Sequence, residues 1–465
     1  MFLCYTFAIL ALLFAPMDKR TFIRILSASM ISHSLIPNRA WPSHDKLENW
    51  AGNVQYSTEK LRSADSLEHV RDFVKANRKL KVLGTRHCFN TIADSSNQFL
   101  SLKDRDKLIS LDRAARSVIV AGRMTYGQLG PYLDHEGFAL HNLASLPHIS
   151  IAGACSTATH GSGAKNGNLS TAVSAIEFVN ASGEVVQLSR QKDGEMFLGC
   201  VVGLGALGVI TKVTLDVRPT YRVQQYVYEN LPLSELARHF DEIEAAAYSV
   251  SLFSDWQDQR INEVWLKRVV EPGRVFEAPQ EFFGAKKAAK NLHPITALSA
   301  ENCTEQMGIP GPWYDRLPHF RMGFTPSAGK ELQSEYFVPR QNAVDAILAV
   351  NELRDQLSPY LLISEIRAIA GDNLWLSPCY KQPSVTIHFT WKPDWLSVRK
   401  VLPVIEKQLG PYRPRPHWGK LFTISPAQLH ASYEKLEDFV RLSEQHDPKG
   451  KFRNQFLNTN IFGAA

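Results

Sequence analysis

The 465-residue sequence is poor in the features that identify several large protein classes. Its six cysteines are scattered and none belongs to a CxxC pair, so their spacing indicates neither a disulfide framework nor a structural zinc site. No cluster of Lys and Arg accompanies the net charge of +6, and we therefore expect no nucleic-acid partner. Internal repeats and low-complexity tracts are also absent. The remaining composition, 44% hydrophobic and 21% charged, predicts a globular protein with room for two domains.

Long hydrophobic runs are missing as well. Residues 2–16 are apolar, but this run is too short to span a bilayer comfortably and lacks the basic leader of a signal peptide. A second methionine, Met17, precedes Lys19, Arg20 and an apolar stretch, an arrangement that resembles a twin-arginine export signal. Two interpretations of the N-terminal segment 1–45 stay open: an exported protein, or a cytoplasmic protein with an irregular N-terminus. We expect no stable membrane association in either case.

Regular helix and strand patterns begin shortly after residue 46. A capped helical segment at residues 63–78 precedes the strand KLKVLG, and further strands and helices follow up to residue 218. The pattern changes after residue 219, and we interpret residues 267–293 as a basic, proline-containing linker region. A helix at 342–357 then leads to the strands LLISEIRAIA and SVTIHFTW. These patterns predict a protein of mixed α and β structure with two domains, which we place at 46–218 and 219–410, and a final segment, 411–465, that returns to the first domain.

Two glycine-containing loops, residues 83–95 and 145–163, follow strand patterns in the first domain. Backbone N–H groups in such loops form concavities that bind anions, and a diphosphate is the commonest large anion of a cofactor. Neither loop has a Walker A motif. GLGALG at residues 203–208 matches the letters GxGxxG, but VITKVTLDV after it has the pattern of a strand. Because the dinucleotide fingerprint requires a helix there, we reject a Rossmann interpretation.

Polar residues recur on single faces of two strands in the second domain. Glu365 and Arg367 share one face of LLISEIRAIA, and His388 and Thr390 share one face of SVTIHFTW. Such rows could line a pocket for a polyhydroxy ligand, or they could form a solvated sheet face with an ordinary ion pair. In the segment RPHWGK, the pattern alone favours a buried tryptophan and a solvent-facing Lys420.

Four motifs occur in an order that resembles a known family: LGTRHCFN, SLPHISIAG with TATHGSG, RPHWGK, and DPKGKF. Together they are similar to flavoproteins of the vanillyl-alcohol-oxidase type over residues 50–463. This resemblance implies a PCMH-type FAD-binding domain and an α+β substrate (cap) domain with an antiparallel sheet. It also implies that FAD is joined covalently through its 8α-methyl group to a histidine of the first motif, here His87. Thr85, Arg86 and Cys88 depart mildly from the family pattern.

Within this family, SEIRAIA, TIHFTWKPD and HWGK are most similar to the alditol and xylitol oxidases. That resemblance implies oxidation of the terminal primary alcohol of an alditol such as xylitol or sorbitol to the aldose, with dioxygen reduced to hydrogen peroxide. The alternative within the family is an aldonolactone oxidase or dehydrogenase acting on L-gulono- or D-arabinono-1,4-lactone. A third hypothesis, from another class, is a non-catalytic carbohydrate-binding protein on the same scaffold. We expect a monomer.

The resemblance also assigns roles to residues. Lys420 is the expected cation beside the N1–C2 carbonyl edge of the flavin, Arg367 stabilises the developing alkoxide, and His388 accepts the hydroxyl proton because its reference pKa lies near neutrality. Cys88 is interpreted as packing beside the flavin. No metal site is expected. The residues expected to surround the substrate are Ser145, Glu365, Arg367, Thr390 and Lys420. The residues expected to contact FAD are Gly84, Thr85, Arg86, His87, Cys88, Ser145, Ser150, Gly153, Thr157, Ala158, His160, Gly161, Val209 and His417.

Overall fold

The computed structural model describes residues 46–102, 107–321 and 331–463. The two interpretations of residues 1–45 therefore concern a segment outside the described residues. All elements given below belong to the compact unit Leu47–Ala465. Across the ranges described, no helix has both the length and the hydrophobicity needed to cross a membrane.

The unit combines short helices with strands that form one large and three smaller sheets among the described residues. The strands are β1 (Leu61–Ser63), β2 (Lys81–Val82), β3 (Phe99–Ser101), β4 (Leu108–Asp112), β5 (Ser117–Ala121), β6 (Phe138–Ala139), β7 (Val173–Val179), β8 (Val185–Ser189), β9 (Val209–Asp216), β10 (Arg218–Pro219), β11 (Arg222–Pro232), β12 (Ser249–Ser254), β13 (Arg260–Val269), β14 (Glu281–Phe282), β15 (Ala285–Lys287), β16 (Gly311–Pro312), β17 (Leu332–Pro339), β18 (Leu361–Ile369), β19 (Ser384–Trp391) and β20 (Arg415–Pro416). The α-helices are α1 (Leu67–Ala76), α2 (Tyr126–His135), α3 (Ile151–Ser156), α4 (Arg190–Val201), α5 (Leu233–Ala245), α6 (Ala343–Glu352), α7 (Arg354–Leu357), α8 (Trp395–Leu409), α9 (Pro426–Ser432), α10 (Leu436–His446) and α11 (Gln455–Leu457).

The N-terminal half contains a parallel sheet in the order β1-β3-β2 and an antiparallel sheet in the order β4-β5-β9-β7-β8. Helix α1 begins where the Ser66 side chain accepts a hydrogen bond from the backbone N–H of His69, and it buries Val70 and Val74. Strand β9 starts directly after GLGALG, so the predicted strand is confirmed and the Rossmann interpretation stays rejected.

The C-terminal half is built on a ten-stranded antiparallel sheet in the order β14-β15-β11-β13-β12-β18-β19-β17-β20, with β16 paired to β11. Side chains alternate between its two faces. Tyr336, Ile366 and Ile387 lie on the face that packs against α5, α6 and α8 in one hydrophobic core. The other face carries the polar residues, and it forms one wall of the candidate site.

Two predictions for this half are wrong in detail. The proposed linker at 267–293 contains the end of β13 and the hairpin of β14 and β15, and Lys267 is fully buried in β13. The pattern of basic residues and proline did not reveal this, because Lys267 contacts residues 317–319, which lie 50 to 52 residues away in sequence. The helix expected at 342–357 is divided into α6 and α7 at Leu353, where ψ is 0°.

The C-terminal segment is tied to the N-terminal half by Asn454. Its side-chain amide donates to the backbone carbonyls of Thr91, Ile92 and Asp94 at 2.9, 3.0 and 2.9 Å. The domain boundaries at 218 and 410 stay predictions.

Candidate active site

A cavity of about 320 Å³ lies between two segments of the N-terminal half and the polar face of the large sheet. The second segment was predicted as a loop at 145–163, but it contains the short helix α3. Most of the residues predicted from the sequence line the cavity. These are Gly84, Thr85, Arg86, His87, Cys88, Ser145, Ser150, Gly153, Thr157, His160, Glu365, Arg367, His388, Thr390, His417 and Lys420. Segments more than 300 residues apart in the chain therefore meet at one site.

The loop of residues 84–90 presents His87 to this cavity. Arg86 has a φ of +64°, an uncommon backbone conformation for a residue with a side chain, and its carbonyl accepts a hydrogen bond from the Trp50 N–H at 2.8 Å. The His87 ring lies 4.9 Å from the ring of Trp50 and 4.4 Å from that of His148. Burial, His148 and Arg86 lower the pKa of His87 to about 3. The imidazole is therefore neutral at physiological pH, the state in which its nitrogen can act as a nucleophile.

Cys88 also lines the cavity, but its thiol is not ionised. Burial raises the pKa of Cys88 to about 11, which opposes formation of the nucleophilic thiolate. The thiol packs against the main core of the N-terminal half. These observations agree with the packing role expected for it.

The His87 loop is anchored to the segment that carries Lys420. The backbone N–H of Phe89 donates to the Gly419 carbonyl at 2.7 Å. The side-chain amide of Asn90 donates to the carbonyls of Trp418 and Lys420 at 2.9 and 2.7 Å. These bonds set the position of Lys420 relative to His87.

The lining of the cavity suits a large, flat cofactor with a diphosphate. Apolar side chains, including Ile92, Leu204 and Ile210, form its walls. Glycines line the cavity at several positions, where no side chain covers the backbone: Gly84, Gly122, Gly153, Gly205, Gly208 and Gly419. A Cβ atom at Gly153 would lie 2.7 Å from the Ser150 Oγ, so no larger residue fits there without movement. Apolar walls, glycines that allow close approach of a ligand to the backbone, and a neutral histidine together fit FAD.

The polar wall follows from the register of three neighbouring strands. Glu365 of β18 pairs with His388 of β19, and His388 pairs with Glu335 of β17. These three residues form a row across the sheet, all on the cavity face. Two positions further along β19, Thr390 pairs with Gln333 of β17 in a second row.

Glu335 is the centre of a buried charge network and is 1% exposed. One carboxylate oxygen lies 2.8 Å from the Arg367 Nη2 and 3.2 Å from the His160 Nε2, and the other lies 2.6 Å from the Lys420 Nζ. Burial alone would raise the pKa of Glu335, but Lys420, His160 and Arg367 hold it well below the usual 4.5. Glu335 therefore stays ionised and balances part of the positive charge of Arg367 and Lys420.

Glu365 belongs to a second part of this network. Its Oε1 atom lies 2.7 Å from the His319 Nε2 and 3.5 Å from the Arg367 Nε. Arg367 and His319 outweigh the effect of burial and lower the pKa of Glu365 far below its usual range. The formal charges of Glu335, Glu365, Arg367 and Lys420 sum to zero, which suits a neutral ligand rich in hydroxyl groups.

The position of Lys420 differs from the one that the pattern of its own segment predicts. The sequence alone favoured a solvent-facing lysine, whereas its ammonium lies in the cavity, 2.7 Å from the His388 Nδ1. Burial lowers the pKa of Lys420, and the Glu335 carboxylate opposes that effect. Trp418 is fully buried as expected, and its indole N–H donates to the Leu376 carbonyl.

His388 was expected to accept a proton because the reference pKa of histidine lies near neutrality, but its surroundings shift that pKa. Burial and the Lys420 ammonium lower the pKa of His388 to about 4, so the ring is neutral at physiological pH but is a weak base. Its Nδ1 accepts from Lys420, which leaves Nε2 as the N–H that donates to the Thr390 Oγ1 at 3.0 Å. A proton can reach Nδ1 only where the Lys420 hydrogen bond is given up.

Three of the residues predicted to contact FAD do not line the cavity. The side chain of Val209 packs in a core with Val70 and Phe452, while its neighbours Gly208 and Ile210 line the cavity. This is the alternation expected along a strand. Ala158 is fully buried in the main core, and Gly161 packs against the Leu143 carbonyl.

Several site residues were not found from the sequence: Trp50, His148, His319, Gln333 and Glu335. Gln333 and Glu335 alternate along LQSEYFVP, so their shared face was readable, but their partner strands were not. Trp50, His148 and His319 lie outside strands and helices and carry no periodic signal.

The structure also groups His160, Glu335 and His417, whose ligand atoms lie within 4.8 Å of one another. Such a group could hold a metal ion. Arg367 and Lys420 already supply two positive charges to the same carboxylate, and they oppose a third cation. The arrangement therefore favours an anionic or neutral occupant over a metal.

Comparison with known proteins agrees with this geometry. A family model described as FAD binding domain matches residues 61–189, and a model of D-arabinono-1,4-lactone oxidase matches residues 326–460. An alditol oxidase of Streptomyces sp. is 43% identical over 418 residues, which cover 89% of this chain and 99% of that protein. An L-gulono-1,4-lactone dehydrogenase of Mycobacterium tuberculosis is 24% identical, with 88% of this chain and 97% of that protein covered.

The fold is shared with a cholesterol oxidase from B. sterolicum. That structure superimposes with a TM-score of 0.72 at 14% identity, covering 90% of this chain and 96% of the other. The expected two-domain α+β flavoprotein fold with a large antiparallel sheet is thus confirmed. Since identity to the Streptomyces protein extends over nearly the whole of both sequences, the chain belongs to the FAD-binding oxidases of the vanillyl-alcohol-oxidase type, in the family of that alditol oxidase.

Proposed function

We propose that this protein oxidises the terminal primary alcohol of an alditol, such as xylitol or sorbitol, to the aldose while dioxygen is reduced to hydrogen peroxide. The observation that carries the proposal is the row of buried polar groups, Glu365, His388 and Glu335, on the sheet face opposite the His87 loop. These groups are held by other side chains but still present polar atoms to the cavity, so this wall favours a ligand with several hydroxyls over an apolar alcohol. The 43% identity to an alditol oxidase supports the same substrate class.

We propose that FAD is attached covalently at His87 and that residues of the segments 84–90 and 150–157 would hold it. When bound, FAD supplies the hydride acceptor that no side chain can provide. The neutral state of His87, held by burial between Trp50 and His148, supports its role as the attachment point. Ser150 lies between Gly84 and Gly153 and is suited to contact the diphosphate.

The chain's own residues bind and polarise the alcohol. Glu365, Thr390 and Ser145 hydrogen-bond successive hydroxyls and so fix which carbon is oxidised. Arg367 stabilises negative charge on the reacting oxygen. Lys420 donates to Glu335 and His388 and has one further N–H, and this residue would supply a fixed positive charge to a bound flavin.

The hydroxyl proton needs an acceptor, and His388 stays our proposal. Its Nδ1 lone pair is shared with Lys420, and its Nε2 is bonded to Thr390. Proton uptake at Nδ1 therefore requires the Lys420 ammonium to move or to release its own proton. This coupling makes the two residues one acid–base unit.

Oxidation of an aldonolactone is the second candidate. The match of residues 326–460 to the lactone oxidase model favours it, because that range contains Glu335, Glu365, Arg367 and His388. Purified protein supplied with xylitol, sorbitol or L-gulono-1,4-lactone separates the two when oxygen consumption and peroxide formation are measured. We expect turnover of the alditols; turnover of the lactone alone would replace the proposed function. Turnover that requires an artificial electron acceptor would make the enzyme a dehydrogenase.

The cofactor proposal has its own test. A denaturing gel viewed under ultraviolet light after acid treatment should show a fluorescent band for the wild type and none for His87→Ala. Cys88→Ala is the matched control and should keep the band, because the buried thiol is protonated and takes no part in attachment. A colourless wild-type preparation would favour the non-catalytic carbohydrate-binding hypothesis.

A further inference from the structure

A buried lysine behind the polar wall contacts the site only through another side chain. Lys267 lies on β13, is 0% exposed and does not line the cavity. Its Nζ lies 2.6 Å from the Leu317 carbonyl, 2.9 Å from the Pro318 carbonyl and 3.2 Å from the His319 Nδ1. The three N–H groups of the ammonium are therefore matched by three acceptors.

This arrangement fixes the tautomer of His319. Because its Nδ1 accepts from the Lys267 ammonium, the ring proton resides on Nε2, which donates to the Glu365 Oε1 at 2.7 Å. A neutral amine could instead accept from Nδ1, and the Nε2 lone pair would then face the carboxylate. Burial lowers the pKa of Lys267 to about 7, and the Glu365 carboxylate opposes that shift. Because an ionised carboxylate only accepts hydrogen bonds, its 2.7 Å contact with Nε2 favours the state in which Nε2 carries the proton and Nδ1 accepts from Lys267. The rings of Phe253 and Trp265 lie 5.5 and 5.2 Å from the His319 ring and limit its rotation.

The consequence falls on the second oxygen of Glu365. Within the described part of the chain, this carboxylate bonds to His319 and Arg367, in both cases through Oε1. Glu365 lines the cavity, so Oε2 is left as an acceptor for a ligand. His319 and Arg367 thus hold the carboxylate through Oε1, and Oε2 is available to bind a ligand.

We propose that Lys267 is a positioning residue for substrate binding: acting through His319, it holds Glu365 as an anionic acceptor for one hydroxyl of the polyol. This inference rests on the proposed function and deepens it. Lys267 itself does not line the cavity and reaches Glu365 only through His319. The competing explanation is that Lys267 only caps the carbonyls of Leu317 and Pro318.

The variants His319→Phe and Lys267→Met separate these explanations. His319→Phe leaves the two carbonyl bonds of Lys267 intact and removes the bond to Glu365, and its ring can pack against Phe253 and Trp265. We expect each single variant to raise the KM for xylitol about tenfold with kcat changed less than about threefold, because the interaction aids binding. His319→Gln, which keeps an N–H donor near Glu365, should recover part of the loss.

A double-mutant cycle provides the decisive readout. If the three residues act in series, Glu365→Gln raises KM further, and adding Lys267→Met to it causes no additional increase. Lys79→Met is the control, since Lys79 also donates to a backbone carbonyl, that of Gly450, but does not line the cavity. Unchanged KM in both Lys267→Met and His319→Phe, or independent effects in the cycle, would overturn the inference. If Lys267→Met does not fold, the His319→Phe and Glu365→Gln cycle decides. Absence of polyol turnover by the wild type would instead refute the proposed function.

Discussion

Glu335→Gln tests the charge network most directly, because it removes a charge and keeps the shape of the side chain. The carboxylate lies 2.6 Å from the Lys420 Nζ and 2.8 Å from the Arg367 Nη2. At an effective dielectric of about 20, each contact corresponds to roughly 6 kcal/mol of attraction, much of it offset by desolvation. Loss of one partner from a buried ion pair costs about 3–5 kcal/mol. For roughly 400 residues with about 2.1 cal/mol/K of unfolding entropy each, this lowers Tm by about 4–6 °C.

The same variant should change the pH dependence of catalysis. Burial lowers the pKa of Lys420 and Glu335 raises it, so removal of the carboxylate lowers that pKa further. The alkaline limb of kcat, where Lys420 loses its proton, should therefore move to lower pH, and kcat at neutral pH should fall about 100-fold. The assay is oxygen consumption with saturating xylitol from pH 6 to pH 10.

The matched control is Glu177→Gln. Glu177 is also buried and lies 2.8 Å from a lysine, Lys212, but it does not line the cavity. It should lower Tm without moving the pH profile of kcat. A Glu335→Gln enzyme with the wild-type kcat and an unmoved alkaline limb would refute the assignment of Glu335 as the group that sustains the charge of Lys420.

Three further predictions concern catalysis, cofactor binding and stability. Lys420→Met should lower kcat at least about 100-fold in the oxygen assay while the fluorescent flavin band persists; loss of the band would make Lys420 a cofactor-binding residue instead. Gly153→Ala should reduce the ratio of flavin to protein absorbance, because its Cβ would lie 2.7 Å from the Ser150 Oγ, whereas Gly410→Ala has open space and should not. Burial raises the pKa of Glu244 to about 8, so the folded state holds a proton that the unfolded state loses near 4.5, and stability falls as pH rises between these values. Thermal unfolding from pH 4.5 to pH 9 should therefore show Glu244→Gln gaining on the wild type as pH rises; parallel curves would contradict this.

The sequence was most informative where side chains alternate along strands. It placed Glu365 with Arg367 and His388 with Thr390 on shared faces, and both pairs line the cavity. Periodicity shows which face a residue shares, but it does not show what lies opposite. Glu335 was missed for this reason, because only the register of β17 against β19 places it next to His388.

Strand periodicity could not predict the contacts of residues on irregular segments. His319 meets Glu365 across 46 residues of sequence, and Lys267 meets His319 across 52. Family motifs pointed to segments that line the cavity, but a matched letter does not fix the direction of a side chain. Val209 illustrates this, since it points into a core between two residues that line the cavity.

The bonds from residues 89–90 to the carbonyls of Trp418, Gly419 and Lys420 have a consequence for biosynthesis. A ribosome makes the His87 loop some 330 residues before the segment that anchors it. The cavity therefore has no complete wall until the last tenth of the chain has emerged and docked. The proposed attachment of flavin at His87 should then be a late event that follows folding, and a chain ending before residue 415 should carry no covalent flavin even though His87 is intact.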